Sequence, residues 1–174
     1  MTHPVDNISW LPAESLDGNI WNPNFVYGPE LKLLKLSMLK QGWVQPILVS
    51  EEEDGKHVII DGFHRWSLTK DDKQLSDMTK GLVPCAVLKL TKPERMLLTV
   101  RINRAKGNHI AVKMHELVTE LVEQHGYSKA QVAEEIGASK DEIDILLAEN
   151  VFKKLKTPEH QYSKAWYPKG AKVE

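Results

Sequence analysis

Val58-Ile-Ile-Asp-Gly-Phe-His-Arg-Trp66 is the stretch of sequence that decides the fold. Branched apolar residues predict a buried strand, the Asp61-Gly62 pair interrupts it, and a helix is predicted to follow near residue 63. Free N–H groups at a helix start, together with the positive fork of Arg65, form a phosphate site, and Gly62 lets a ligand approach the backbone. The alternative is that Asp61 caps the helix, His64 packs and Arg65 is a solvated surface charge.

The segments around this stretch predict a mixed α/β half. Apolar runs predict strands at 46–49, 57–60 and 83–90. Helical spacing after Pro29 predicts a helix that ends at Gly42, and the Thr91-Lys-Pro-Glu94 capping box opens another that runs to about residue 103. Residues 1–28, which are rich in Pro, Gly and Asn turn signals, are predicted to be irregular.

After Gly107 the predicted elements are all helical. One helix spans about 111–125, and Ser128 and Ser139 cap two shorter ones, which is a helix-turn-helix pattern. We therefore predict an α+β protein with three parts. These are a small mixed sheet with helices over 1–107, a helix-turn-helix-like helical domain over 108–150, and a basic tail over 151–174.

Composition narrows the class of protein. The 174 residues are 41% hydrophobic, and 23 Lys+Arg balance 24 Asp+Glu to a net charge of −1, which removes the simplest argument for non-specific nucleic-acid binding. No apolar run reaches the roughly 18–20 residues of a membrane span. One cysteine, Cys85, excludes a disulfide scaffold, and the first thirty residues lack Lys and Arg, which excludes a basic signal sequence. We expect a cytoplasmic protein with no membrane contact.

A second candidate site is the cationic cluster Arg101-Ile-Asn-Arg104-Ala-Lys106, which lies near the end of a predicted helix with no carboxylate nearby in sequence. Clustered cations without partners favour an external anion, and a nucleoside triphosphate would serve. The alternative is that these cations only stabilise the negative end of the helix dipole.

Five motifs in order resemble the ParB/sulfiredoxin superfamily, most closely the IbrB-like branch of ParB N-terminal domain proteins. The motifs are Asn22-Pro-Asn, Leu33-Leu-Lys-Leu-Ser-Met-Leu-Lys-Gln-Gly42, Gln45-Pro-Ile-Leu-Val, Ile60-Asp-Gly-Phe-His-Arg65 and Ile102-Asn-Arg104. The match covers most of 8–110, and the helical half resembles the helix-turn-helix domain that follows in ParB proteins.

The resemblance implies a nucleotide site. In ParB proteins the segment that matches Gly62–Trp66 holds the phosphates of CTP, and the segment that matches Asn103-Arg104 closes over them. In sulfiredoxins a catalytic cysteine stands where this chain has Phe63, so sulfiredoxin activity is excluded. Free-serine kinases of the superfamily carry a similar Asp-Gly-His-His-Arg sequence.

The predicted function is therefore binding of ATP or CTP with Mg²⁺, followed by hydrolysis or by phosphoryl transfer as in a small-molecule kinase. Six residues are predicted to contact the nucleotide: Gly62, His64, Arg65, Arg101, Asn103 and Arg104. Asp61 and Glu30 are the carboxylates predicted to act as base or metal ligand, each with a plain alternative as a helix cap or first-turn acid.

The competing hypothesis is a DNA-associated transcription or partition regulator that uses nucleotide only as a switch. The second helix of the helix-turn-helix pattern begins Ser139-Lys-Asp-Glu-Ile-Asp144, and its three carboxylates disfavour contact with a phosphate backbone. The IbrB-like branch further implies a protein partner related to phosphoadenosine-phosphosulfate reductases.

Overall fold

The computed structural model describes residues 3–19, 28–52, 54–106 and 111–148, so the Asn22-Pro-Asn motif and the tail 151–174 lie outside the described residues. Within these ranges the strands are β1 (Ile8–Pro12), β2 (Leu16–Asp17), β3 (Ile47–Glu51), β4 (His57–Asp61) and β5 (Leu82–Leu88). They form one mixed sheet in the order β1-β5-β3-β4-β2. The three strands predicted from apolar runs are confirmed, and they form the centre of the sheet, with β3 antiparallel to β4 and parallel to β5.

The two edge strands lie in the segment 1–28, so the prediction that this segment is irregular is wrong for residues 8–12 and 16–17. β1 pairs antiparallel with β5, and β2 pairs parallel with β4. Ile8 and Trp10 are 38% and 51% exposed, so β1 carries no clear pattern of buried and exposed residues. It is held by backbone pairing at an edge, where a terminal Pro12 is tolerated.

Four helices accompany the sheet: α1 (Gly28–Gln41), α2 (Phe63–Asp71), α3 (Lys73–Thr79) and α4 (Lys92–Lys106). The predicted start of α2 is confirmed. At the start of α4 one half of the predicted capping box forms, because Thr91 N donates to Glu94 Oε2 at 2.7 Å, and Thr91 Oγ1 donates to the same oxygen at 2.7 Å. Trp66 ties α2 to the sheet region, because its Nε1 donates to Ala13 O at 2.7 Å. The core beneath α2 consists of Ala13, Leu16, Ile47, Val49, Ile59, Trp66, Val83 and Cys85.

The remaining described helices are α5 (Ala111–Glu123), α6 (Lys129–Ile136) and α7 (Lys140–Leu147). The predicted caps are confirmed, because Ser128 Oγ accepts from Gln131 N at 3.2 Å and Ser139 Oγ accepts from Glu142 N at 3.1 Å. These helices share a second hydrophobic cluster with α4, which contributes Met96, Leu97 and Val100. α4 therefore belongs to both halves of the fold.

No helix within the described ranges is both long and apolar enough to cross a membrane.

Candidate functional site

The strand–glycine–helix junction forms as the sequence predicts. β4 ends at Asp61, and Gly62 is the N-cap of α2 with φ 97° and ψ 16°, in the left-handed region. A Cβ at Gly62 would lie 3.1 Å from Arg65 Nη2 and 3.3 Å from Ile47 Cα, so glycine is favoured both by conformation and by space. Because the first N–H groups of a helix have no intrahelical acceptor, the start of α2 presents donors and a partial positive charge.

The side chain of Arg65 is mostly buried, with 13% of its surface exposed. Its Nη1 donates to Gln45 O at 2.6 Å and to Pro46 O at 3.2 Å, and its Nη2 donates to Asp61 Oδ2 at 3.4 Å. Burial lowers the pKa of Arg65, and the nearby Asp61 carboxylate opposes this shift. The alternative that Arg65 is a solvated surface charge is therefore wrong.

Asp61 binds two cations. In addition to Arg65, it accepts a hydrogen bond from Lys106, whose Nζ lies 2.6 Å from Asp61 Oδ1. The N-cap of α2 is Gly62, which has no side-chain oxygen, so the alternative that Asp61 caps this helix is wrong. A base or metal-ligand role for Asp61 would require it to give up part of this ion pairing.

A cavity of about 210 Å³ opens at the junction, lined by Leu34, Gln45, residues 60–65 and Lys106. This volume is below the about 300–1,000 Å³ typical of drug-sized ligand sites, so it suits a chain of phosphates better than a whole nucleotide. A hollow of about 260 Å³ lies elsewhere, lined by residues 3, 4, 7 and 87–89. Its lining holds few charged groups, and the smaller cavity is the better site because charged groups converge there.

His64 lies in the first turn of α2 and lines this cavity. Its ring packs edge-on against that of Phe63, with 5.7 Å between centroids. Its Nε2 atom is buried and has no hydrogen-bond partner within the described part of the chain. Burial lowers the pKa of His64 despite the opposing charge of Asp61, which favours the neutral imidazole at pH 7.

The cations of α4 point in two directions. Thr99 donates to Ile60 O at 3.4 Å, and Lys106 binds Asp61, so the face of α4 that contains these residues covers the end of β4. Asn103 is 2% exposed and lies four residues after Thr99, on this same face. The structure therefore brings Asn103 and Lys106 toward the junction, together with Gly62.

Arg101 and Arg104 contact the helical half instead. Arg101 Nη1 binds Glu135 Oε2 at 2.7 Å. Arg104 binds both carboxylate oxygens of Glu142 at 2.6 and 3.3 Å and the carbonyl of Gly137 at 3.3 Å. The expectation that this cluster lacks carboxylate partners is wrong, because the partners lie more than thirty residues away in sequence. Their role as nucleotide contacts stays a prediction.

Glu30 lies exposed in the first turn of α1. It precedes Leu34 by one helical turn, so it sits on the same side of α1 as a residue that lines the cavity. Glu30 is not among the residues that line the cavity.

The sequence did not indicate a site role for Gln45, and it indicated Lys106 only as a member of the cationic cluster and not as a nucleotide contact. The backbone carbonyl of Gln45 accepts a hydrogen bond from Arg65, and such a contact cannot be predicted from sequence because every residue has a backbone carbonyl. Lys106 was visible in the cationic cluster, but its pairing with Asp61 spans 45 residues and no local pattern marks it.

Comparisons with known proteins agree on one family. The family model for the ParB N-terminal domain matches residues 2–103. The Escherichia coli (strain K12) uncharacterized protein YbdM is 37% identical over 163 residues, which cover 94% of this chain and 77% of that protein.

Solved structures share the fold. The Pnob8-like ParB-N domain is matched with a TM-score of 0.57 at 10% identity, covering 80% of this chain and 68% of that chain. The C-terminally truncated ParB of Caulobacter crescentus, complexed to the centromeric parS site, is matched with a TM-score of 0.51 at 21% identity, covering 84% and 76%. At these identities the likeness concerns the fold alone.

A mixed sheet whose strand β4 leads into a helix that starts at a glycine, covered by the end of α4, forms an α+β domain, and the family model identifies it as a ParB N-terminal domain. The resemblance to ParB N-terminal domain proteins that the motifs indicated is thereby confirmed. The chain belongs to the ParB N-terminal domain family. Its place in the IbrB-like branch stays a prediction.

Proposed function

We propose that the chain binds a nucleoside triphosphate, ATP or CTP, with Mg²⁺, through its phosphates at the junction of β4 and α2. The observation that carries this proposal is the left-handed Gly62 at the start of α2, which opens into a cavity also lined by Arg65 and Lys106. A helix start with an adjacent cation is a ready anion site, since backbone donors and the helix dipole act together. Family membership supports the same assignment.

The proposed contacts are Gly62, His64, Arg65 and Asn103, to which we add Lys106. Lys106 is the most accessible cation at the cavity, with its side chain 48% exposed. Arg101 and Arg104 remain proposed contacts, and each would exchange a glutamate partner for a phosphate oxygen. Arg65 donates hydrogen bonds to two backbone carbonyls, so we expect it to fix the shape of the site as well as to supply positive charge.

Mg²⁺ binding would rely mainly on the nucleotide. Within the described ranges, no group of three or more His, Cys, Asp or Glu side chains converges to hold a metal ion. Mg²⁺ usually binds through one or two carboxylates together with substrate phosphates. The donor set fits such a shared site, in which Asp61 is the carboxylate that lines the cavity and Glu30, one turn before Leu34 on α1, is the second candidate.

Hydrolysis or phosphoryl transfer would follow from positioning and charge neutralisation, which are the main demands of that chemistry. In this proposal Asp61 or Glu30 acts as the base for water or for an acceptor hydroxyl. Sulfiredoxin chemistry is not part of it, because Phe63 occupies the cysteine position and Cys85 is buried in β5.

Calorimetric titration of ATP, CTP and GTP with Mg²⁺ into the full chain tests the proposal, with assay of released inorganic phosphate. Lys106→Gln removes the accessible cation of the cavity, and we expect at least a tenfold loss of affinity, equivalent to about 1.4 kcal/mol. Lys92→Gln is the matched control, because Lys92 lies on the same helix but binds Glu120, away from the cavity. A folded wild type that binds none of the three nucleotides would refute the proposal.

A DNA-associated regulator remains the second candidate, supported by two ion pairs of α7. Glu142 binds Arg104 and Asp144 binds Lys129, so two of the three carboxylates that disfavour DNA are neutralised within the chain. Fluorescence anisotropy with duplex DNA across a range of salt concentrations tests this candidate. Steep salt dependence with a site preference would support it, and weak binding at low salt would refute it. The expected partner related to phosphoadenosine-phosphosulfate reductases continues to rest on the resemblance.

A further inference from the structure

Six buried side-chain N or O atoms of the described residues lack a hydrogen-bond partner, and His64 Nε2 is the one whose residue lines the cavity proposed to hold phosphates. Buried polar atoms in native proteins are nearly always paired, and an exception calls for an explanation such as an absent ligand. A phosphate oxygen would be a partner of the right kind, provided that Nε2 carries a proton and donates it. The neutral imidazole can instead leave Nε2 as an acceptor, which would repel an anion.

The charges that face His64 come from three elements. Asp61 at the end of β4 is negative, and Arg65 on α2 and Lys106 on α4 are positive, so these groups sum to one positive charge. A terminal phosphate alone carries about two negative charges at pH 7. The other phosphates of a triphosphate add further negative charge, so negative charge remains in excess even where Mg²⁺ offsets two of these charges. The imidazole of His64 is the group in the cavity lining that can gain a proton near neutral pH.

Other elements packed against α2 add little charge at this end. α1 contributes the apolar Leu34 to the cavity, with Glu30 one turn earlier, and Lys35 of α1 is bound to Asp72 beyond the far end of α2. Glu14, in the short turn after β1, is bound to Lys70 in the last turn of α2. β3 is preceded by Gln45, whose contact with the site is a neutral carbonyl.

We propose that His64 takes up one proton from the solvent when a phosphate chain enters the cavity, and that its protonated Nε2 then donates a hydrogen bond to a phosphate oxygen. This inference rests on the proposed function. Burial keeps the imidazole neutral in the free protein, and the anion supplies the opposite charge that raises its pKa. Above pH 7 a terminal phosphate, with a second pKa of about 6, is already ionised and does not supply the proton.

Calorimetry of the full chain in buffers of different ionisation enthalpy tests this coupling, because the dependence of the observed heat on the buffer counts the protons taken up. The probes are CTP, ATP and sodium tripolyphosphate, each with and without Mg²⁺, slightly above pH 7. We expect the wild type to take up a large fraction of one proton and His64→Gln to take up almost none, since glutamine donates without titrating. The affinity of the wild type should fall by up to tenfold per pH unit, whereas that of His64→Gln should stay flat.

His57→Gln is the matched control, because His57 is a half-buried histidine at the start of β4, away from the cavity, and it should behave as the wild type. Equal proton uptake by the wild type and His64→Gln, or binding without proton uptake, would overturn this inference and leave nucleotide binding intact. If the folded chain binds none of the three anions, both this inference and the proposed function are overturned.

Discussion

Asp61 and Lys106, 45 residues apart in the chain, meet with Nζ 2.6 Å from Oδ1. The other oxygen of the same carboxylate faces Arg65 at 3.4 Å. One aspartate therefore joins the end of β4, the first turn of α2 and the last turn of α4. Its negative charge offsets an arginine that is 13% exposed and cannot easily be hydrated.

Asp61→Asn should destabilise the fold, because it keeps the shape of the side chain but leaves Arg65 without its nearby anion. We expect the free energy of unfolding to fall by about 1–3 kcal/mol, measured by urea denaturation. Asp54→Asn is the control, since Asp54 pairs with Lys56 in an exposed turn and the pair is 52% and 63% exposed. Equal losses in the two variants would contradict the structural role of Asp61.

Gly62→Ala should cost more stability than Gly55→Ala. Both glycines have positive φ, 97° and 80°, so each substitution carries the left-handed penalty of about 1–2 kcal/mol. A Cβ at Gly62 also meets Ile47 Cα at 3.3 Å, whereas a Cβ at Gly55 meets nothing within 4 Å. The difference between the two denaturation midpoints measures the cost of the contact between the added Cβ and Ile47. Equal midpoints would show that the backbone around Gly62 moves apart without loss of stability.

The Arg104–Glu142 pair should couple α4 to α7 measurably. A double-mutant cycle with Arg104→Gln and Glu142→Gln is expected to give about 1–2 kcal/mol, because the pair is partly buried and uses two hydrogen bonds. The Lys129–Asp144 pair is the comparison, with both side chains 59% exposed, and about 0–1 kcal/mol is expected there. A larger coupling for the exposed pair would contradict this ranking.

Stability should fall as the pH decreases below about 6.5, partly through His64. The pKa of His64 is lowered in the folded protein from its usual 6.5, so in this range the unfolded chain binds more protons than the folded chain. This contribution is fully present above the unfolded pKa and is lost as the pH falls toward the folded one. Denaturant midpoints from about pH 7 to about pH 5 should change less in His64→Gln than in the wild type.

Cys85 should be inert in the native protein. Burial in β5 raises the pKa of its thiol to about 12, so almost no thiolate forms at neutral pH. A thiol-specific reagent should label the chain slowly in buffer and rapidly in concentrated urea. Fast labelling under native conditions would show that the core around β5 opens readily.

Local patterns predicted the centre of the fold well. The strands β3, β4 and β5 are largely buried, so each appears in the sequence as an apolar run. The starts of α4, α6 and α7 could be predicted from their N-cap residues, which are Thr91, Ser128 and Ser139. The edge strand β1 was missed, because pairing with β5 through the backbone requires no particular side-chain pattern at exposed positions.

The site was predicted less completely than the fold. Gly62 and His64 follow from the strand–glycine–helix order, which is local information. The partners of Arg65, Arg101 and Arg104 are backbone carbonyls or acids far away in the chain, and their identity depends on how α4 lies between the two halves. Charge counts along a sequence cannot identify such partners, because packing decides which charges meet.

The shared position of α4 bears on how this protein can be divided. The family match ends at residue 103, inside α4, and the predicted boundary follows at 107. A fragment cut at either point would keep Thr99 against β4, and only the longer one would keep Lys106, but both would leave Met96, Leu97 and Val100 without the helices that cover them. Such a fragment would expose a stripe of apolar side chains and tend to aggregate, whereas in the intact chain both halves pack against this one helix.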